Sequence, residues 1–183
     1  MTEDALWIFG YGSLLWDPGF PVAERVLARL EGYHRSFCML SFHYRGSRED
    51  PGLVLALDRQ AGAFCEGVAM RPPAAHAEET LAYLRARELV SDAYKEVRLP
   101  VTLADGRRLR AVTYVIDRAH EQYCGRLDPE AQAEMIARAR GRNGPNRDYL
   151  WNTVAHLEEL GIADPDLSWL ARRVRELAGD GRS

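Results

Sequence analysis

Trp7-Ile8-Phe9-Gly10-Tyr11-Gly12-Ser13-Leu14-Leu15-Trp16 is the stretch on which the reading of this chain turns. The apolar run from Ala5 to Phe9 reads as a buried first strand that opens into a tight loop. Glycine suits such a loop because it tolerates φ > 0 and lets backbone N–H groups approach a ligand with no Cβ in the way. Successive inward-turned N–H groups form a nest for a carboxylate or phosphate, so residues 10–15 read as a substrate cradle. They do not make a dinucleotide fingerprint, because Leu15 stands where the third glycine belongs and no βαβ pattern follows. No Gly-Lys-Ser/Thr is present to make a phosphate-binding loop of the nucleotide-hydrolase type.

Outward from this loop, residues 26–45 admit helix or strand, and Gly32 followed by aromatic residues favours a strand through 33–42. The short apolar runs 53–57 and 65–70 read as paired strands turning at Ala61-Gly62. Pro72-Pro73 ends the second and opens a helix over about 74–88, rich in Ala, Glu and Leu. Val97 to Val101 and Leu109 to Ile116 form a hairpin through Asp105-Gly106. Three helices follow: one after Asp128-Pro129, one from about Arg147 to Leu160 ending at Gly161, and one from Asp164-Pro165 to Gly179. Strands early and helices late predict an α+β fold, a curved sheet or small barrel flanked by helices.

The 183 residues fit a single domain spanning 1–183, with 46% apolar and 28% charged residues, as in ordinary globular proteins. A formal charge of −3 gives no reason to expect a nucleic-acid partner. No apolar run approaches the roughly 20 residues of a membrane span, and Met1-Thr2-Glu3-Asp4 is acidic where a signal peptide is basic. Cys38, Cys65 and Cys124 are sparse and lack a C-x-x-C, which argues against a disulfide framework or zinc site and for a cytoplasmic protein. The five histidines show no metal-ligand spacing. Cys38 and His43 could form a nucleophile and base, but cysteine in an apolar run is usually inert core. The basic runs 107–110 and 138–142 read as solvated faces, although the second, leading into Gly144-Pro145-Asn146, could help bind an anion. The oligomeric state is left open.

Glu88 is the strongest candidate for chemistry. Ala77, Leu81 and Leu84 recur at helical spacing, and the next position of that series is Glu88. A carboxylate aimed inward has a raised pKa through desolvation, and its place at the helix C-terminus acts in the same direction. It is a candidate general base or acid. On the pattern alone, the commoner outcome is a helix that ends a turn early, with Glu88 pairing Arg85 or Arg87 in solvent.

Several segments match one family in order across nearly the whole chain. They are Trp7 to Trp16, His43-Tyr44-Arg45-Gly46, Pro51 to Leu57, Gly67 to Arg71, Tyr83 to Glu88, and Gly144 to Leu150. Together they resemble the ChaC-like γ-glutamylcyclotransferases, the bacterial branch most closely, judging by Arg87-Glu88-Leu89-Val90 and the final helices. The resemblance implies a γ-glutamylcyclotransferase-like small mixed β-barrel flanked by helices. It also implies cleavage of glutathione, a small-molecule substrate, to 5-oxoproline and Cys-Gly. It places the γ-glutamyl group on Gly10, Tyr11, Gly12, Ser13, Leu14 and Leu15, makes Glu88 the catalytic acid/base, and offers Tyr149 as a further substrate contact. It reverses the weighing of Glu88. No cofactor or metal is expected, since the substrate's own α-amine attacks its side-chain carbonyl. The same residues would serve other γ-glutamyl amides or amines, and a non-catalytic regulator of cation transport is a third reading. Two positions depart from the pattern. Asp92 stands where relatives often carry glycine. It could raise the Glu88 pKa further or repel an anionic substrate, and so bears on substrate preference more than on reaction type. Leu53 replaces a commonly basic residue.

Overall fold

Strand β1 (Ile8–Gly10) is buried along its whole length, as its apolar sequence demands. It pairs antiparallel with β3 (Gly52–Arg71), Ile8 opposite Met70, and parallel with β5 (Arg108–Ile116), Ile8 opposite Val112. Two further strands, β2 (Glu24–Ser41) and β4 (Tyr94–Leu103), complete a closed barrel in the order β1-β3-β2-β4-β5. Helix α1 (Ala77–Glu88) follows β3 through a short 3-10 turn. The computed structural model describes residues 5–179, so the acidic segment Met1-Thr2-Glu3-Asp4 lies outside it. The chain resolves into two compact units, Met1–Arg35 with Ala56–His120, and Ser36–Leu55 with Glu121–Ser183.

In the first unit the barrel registers define the core. Trp7, Phe9, Leu30, Leu57, Leu103 and Val115 pack together with Tyr11 and Ala69. The β4–β5 hairpin turns at Asp105-Gly106 as expected, with Val101 opposite Leu109 and Gly106 at φ +92°. The turn expected at Ala61-Gly62 is corrected: β3 runs through it unbroken for 20 residues. The two apolar runs find different partners, Met70 pairing β1 and Leu57 pairing Val115 of β5, so neither needs the other. Gly62 sits at φ +81° inside the strand, the left-handed conformation in which glycine bends a strand without reversing it. Strand β2 likewise starts earlier than expected, at Glu24.

The second unit is largely helical. Strands β6 (Arg140–Gly141) and β7 (Gly144–Pro145) form a minimal ladder between α2 (Pro129–Arg138) and α3 (Asn146–Glu159), and α4 (Pro165–Leu177) follows. Asp128 and Asp164 cap α2 and α4, each followed by a proline at N1, as the sequence signals. Ile136, Leu150, Leu157, Leu170 and Val174 form the interhelical core. Arg173 of α4 grips Glu130 of α2 with Nε at 2.9 Å and Nη2 at 2.7 Å.

Candidate active site

The loop after β1 takes its shape from close approach rather than from left-handed backbone. Neither Gly10 nor Gly12 has a positive φ, which corrects the expectation of φ > 0 there. A Cβ on Gly10 would stand 3.1 Å from Leu14 Cβ and 2.9 Å from Met70 Cε, so the residue is small because the loop folds back on itself. Gly67 on β3 is the tighter constraint, since a Cβ there would lie 2.3 Å from the Gly10 carbonyl oxygen. Residues Ser13–Leu15 form a single 3-10 turn. Within it, the N–H groups of Leu15, Trp16 and Asp17 are committed to the carbonyls of Gly12 and Ser13. The N–H groups of Ser13 and Leu14 precede the first such bond, so the turn itself gives them no partner.

Side chains anchor this loop from below. Tyr11, Leu14 and Leu15 are buried, and the Tyr11 hydroxyl donates to the Tyr114 carbonyl at 2.9 Å. Arg35, buried at 6% exposure, donates from Nε to the Tyr11 carbonyl at 2.8 Å and from Nη2 to the Glu66 carbonyl. What the loop can offer a ligand is therefore backbone N–H and the Ser13 hydroxyl.

Helix α1 ends at Glu88, one residue beyond an arginine that bonds this loop. Its buried positions are Thr80 and Leu84, while Leu81 of the expected stripe is only half-buried. The face is shifted by one residue, and Glu88, four after Leu84, still falls on it. The Glu88 side chain is 18% exposed, and burial raises its carboxyl above the ordinary range, with the adjacent Arg87 guanidinium pulling the other way.

Arg87, which the sequence offers only as a solvent partner of Glu88, also bonds the loop. Its Nη2 donates to Ser13 Oγ at 2.9 Å and its Nη1 to the Asp17 carbonyl at 2.6 Å, which staples the end of α1 to the loop. Its Nε lies 3.5 Å from Glu88 Oε1. Because a guanidinium only donates, Ser13 Oγ accepts here and keeps its own O–H to give away. Arg85, the other partner weighed for Glu88, is taken by Glu96 in a bidentate pair with both distances at 2.9 Å. The buried Tyr114 hydroxyl donates to Glu96 at 3.1 Å, and its own pKa is raised by burial, then by the charges of Glu96 and Glu88.

Tyr149 belongs to the second unit. Its hydroxyl accepts from the Leu55 N–H at 3.2 Å, its ring meets Phe37 edge-on, and the Arg45 guanidinium stands 5.7 Å from its centroid. Asn146, in the same segment, is fully buried and bonds both backbone groups of Leu53, each at 2.8 Å. Leu53 itself is core, which accounts for an apolar residue there. Arg138 of the second basic run pairs Asp50 at 2.7 Å, and Cys38 is wholly buried. Among the described residues no three His, Cys, Asp or Glu side chains stand together to share a metal ion. No helix among them is long and apolar enough to cross a membrane.

The family model of ChaC-like proteins matches residues 6–177. The chain belongs to the ChaC-like family. The glutathione-specific γ-glutamylcyclotransferase of Escherichia coli K12 is 35% identical over 97% of this ChaC-like chain and 76% of its own. The human glutathione-specific γ-glutamylcyclotransferase 1 is 36% identical over 86% and 72%. The crystal structure of the yeast cyclotransferase specific to glutathione superposes with a TM-score of 0.85 at 23% identity, covering 98% of this chain and 99% of that one. The expected barrel flanked by helices is thus the fold of this ChaC-like chain.

Proposed function

We propose that this protein is a glutathione-specific γ-glutamylcyclotransferase that releases 5-oxoproline and Cys-Gly, with Glu88 as base and then acid. The observation that carries the proposal is a carboxylate with a raised pKa, held by its neighbour Arg87 beside the Gly10–Leu15 loop. The choice of glutathione is supported by the activity for which the E. coli and human relatives are named. The sparse cysteines fit a cytoplasmic setting.

The chemistry follows from the substrate. Its α-amine, with a pKa of about 8, is largely protonated near neutral pH and must lose a proton before it can attack. A carboxylate raised towards that value is better matched to take the proton. The amine nitrogen then bonds to the γ-carbonyl carbon, closing a five-membered lactam as the γ-amide C–N bond breaks. Protonated Glu88 passes its proton to the departing cysteine nitrogen, which restores the carboxylate. That carboxylate then carries the remaining extra proton of the ring nitrogen to the released amine, so that the lactam is neutral and Cys-Gly departs as an ammonium. Holding the γ-glutamyl chain folded back on itself supplies much of the acceleration. In this reading the Ser13 and Leu14 N–H groups and the Ser13 hydroxyl hold the α-carboxylate or the developing oxyanion. Tyr149 is the further substrate contact that the family resemblance offers.

The test is release of both products from glutathione by the purified protein, against glutathione disulfide, γ-glutamyl-alanine and γ-glutamyl amines. Glu88→Gln is expected to keep the fold and lose turnover, and unchanged turnover in that variant sinks the mechanism.

A further inference from the structure

The basic run Arg107-Arg108-Leu109-Arg110, whose arginines are exposed as expected of a solvated face, borders a recess in the first unit. A cavity of about 940 Å³ opens where β1 and β5 begin, lined by Trp7, Glu24, Arg71, Arg98 and residues 107–110. Register explains the gathering. With Ile8 opposite Met70, Arg71 falls opposite Trp7. With Pro100 opposite Arg110 and Thr102 opposite Arg108, the side chains of Arg108, Arg110 and Arg98 share one face of the hairpin. β1 runs away from this end towards the Gly10 loop, and β5 runs parallel to it, reaching Tyr114 beneath Tyr11. The five residue steps from Leu109 to Tyr114 separate the recess from the loop by about 17 Å at ~3.3 Å per residue.

Two of the five guanidinium groups are already partnered. Glu24 accepts from Arg71 Nε at 3.2 Å and from Arg107 Nη2, and Asp105 accepts from Arg107 Nε at 2.9 Å. Both guanidinium groups also stand over the Trp7 ring, at 5.9 and 5.5 Å from its centroid, which fixes them as the floor. Arg98, Arg108 and Arg110 make no ion pair among the described residues, and Arg110 Nη2 donates to the Arg98 carbonyl at 2.8 Å. Three guanidinium groups without a close ion pair among the described residues thus border one recess, Arg98 being the one whose charge also helps to lower the Glu96 carboxyl. Like charges neighbouring on a strand pair repel, and an anion between them relieves this. Guanidinium forks match phosphate oxygens two at a time, and a recess of this size suits a small molecule rather than an extended chain.

We propose that this recess is a second binding site, separate from Glu88, for a small molecule carrying two or more phosphate groups, held by Arg98, Arg108 and Arg110. The test is calorimetric titration of the full chain with inorganic tripolyphosphate, beside orthophosphate and hexaglutamate. Expected are saturable binding of one tripolyphosphate per chain, affinity that falls with salt, and binding of orthophosphate at least about tenfold weaker. Arg108→Ser combined with Arg110→Ser is expected to weaken tripolyphosphate about 100-fold, roughly tenfold per lost charged donor. Cyclotransferase turnover is expected to be retained in that variant, which also certifies its fold, and Glu88→Gln is expected to bind as the parent does. Absence of saturable binding, equal affinity in the double variant, or hexaglutamate binding as tightly as tripolyphosphate overturns the proposal.

Discussion

Replacing Arg87 separates two roles that one side chain performs. Its fork ties α1 to the loop through Ser13 Oγ at 2.9 Å and the Asp17 carbonyl at 2.6 Å, and its charge lowers the pKa of the neighbouring Glu88. Arg87→Met keeps most of the stem but removes both. Two charge-assisted bonds at about 1.5–3 kcal/mol each set the upper bound, and a side chain 21% exposed loses part of that to water. The net cost is therefore about 2 kcal/mol, which lowers Tm by roughly 4–8 °C in a chain of this length. Freed from its staple, Glu88 needs to drift only about 1 Å from the loop to cost on the order of 100-fold in kcat/KM. Without the guanidinium the carboxylate is harder to ionise. The acid limb of the pH–rate profile, which rises as the base loses its proton, then moves to higher pH. Arg87→Lys keeps the charge without the fork, so turnover falls while the acid limb stays in place. Product release from glutathione, followed across pH for both variants, reads the two roles apart. A methionine variant with parental kcat/KM and an unmoved acid limb refutes the reasoning.

Glu88→Gln should gain stability as it loses turnover. A carboxyl whose pKa is raised on folding stabilises most when protonated, and that contribution disappears as pH rises through its folded value. Melting curves of variant and parent should therefore diverge more at pH 8 than at pH 4. Gly67→Ala puts a Cβ 2.3 Å from the Gly10 carbonyl oxygen, so about 1–3 kcal/mol of stability and much of the turnover should go together. Calorimetry with steady-state kinetics checks both. Asn146→Ala leaves the buried N–H and C=O of Leu53 without their side-chain partner, at a cost of about 2–5 kcal/mol in urea unfolding.

The parts of this molecule legible in the sequence are those fixed by local chemistry. Asp128-Pro129 and Asp164-Pro165 announced their helices, and Asp105-Gly106 its hairpin, because caps and turns depend on a few adjacent residues. Glu88 was legible through helical spacing, although the buried face runs through Thr80 and not Leu81. Pairing at a distance was not legible. Nothing near Gly62 reveals that the runs on either side bind different strands, so a bend looked like a reversal. Arg35 and the loop contacts of Arg87 were missed for a related reason. An arginine that bonds the backbone of a remote loop leaves no periodic trace, and charge in a helix end reads as solvated until its acceptors are seen.

The first unit holds two glutamates whose environments push their pKa values apart, and such a division assigns roles. Glu96 is held below the ordinary range chiefly by the Arg85 fork, and it also accepts from the Tyr114 hydroxyl. It is a fixed anion, already saturated with donors, and has no reason to exchange protons near neutral pH. Glu88 is raised by burial and opposed only by a guanidinium 3.5 Å away whose stronger bonds go to the loop. Tyr114 feels both charges, and its raised pKa keeps it a donor, so it screens one carboxylate without serving the other as a base. A proton carrier must be able to gain and lose its proton at working pH, and of this pair only Glu88 is placed to do so. The staple through Arg87 then joins the two halves of the task. In the proposed mechanism the loop orients a γ-glutamyl group but cannot move its protons, and the carboxylate moves protons only if that group is held against it.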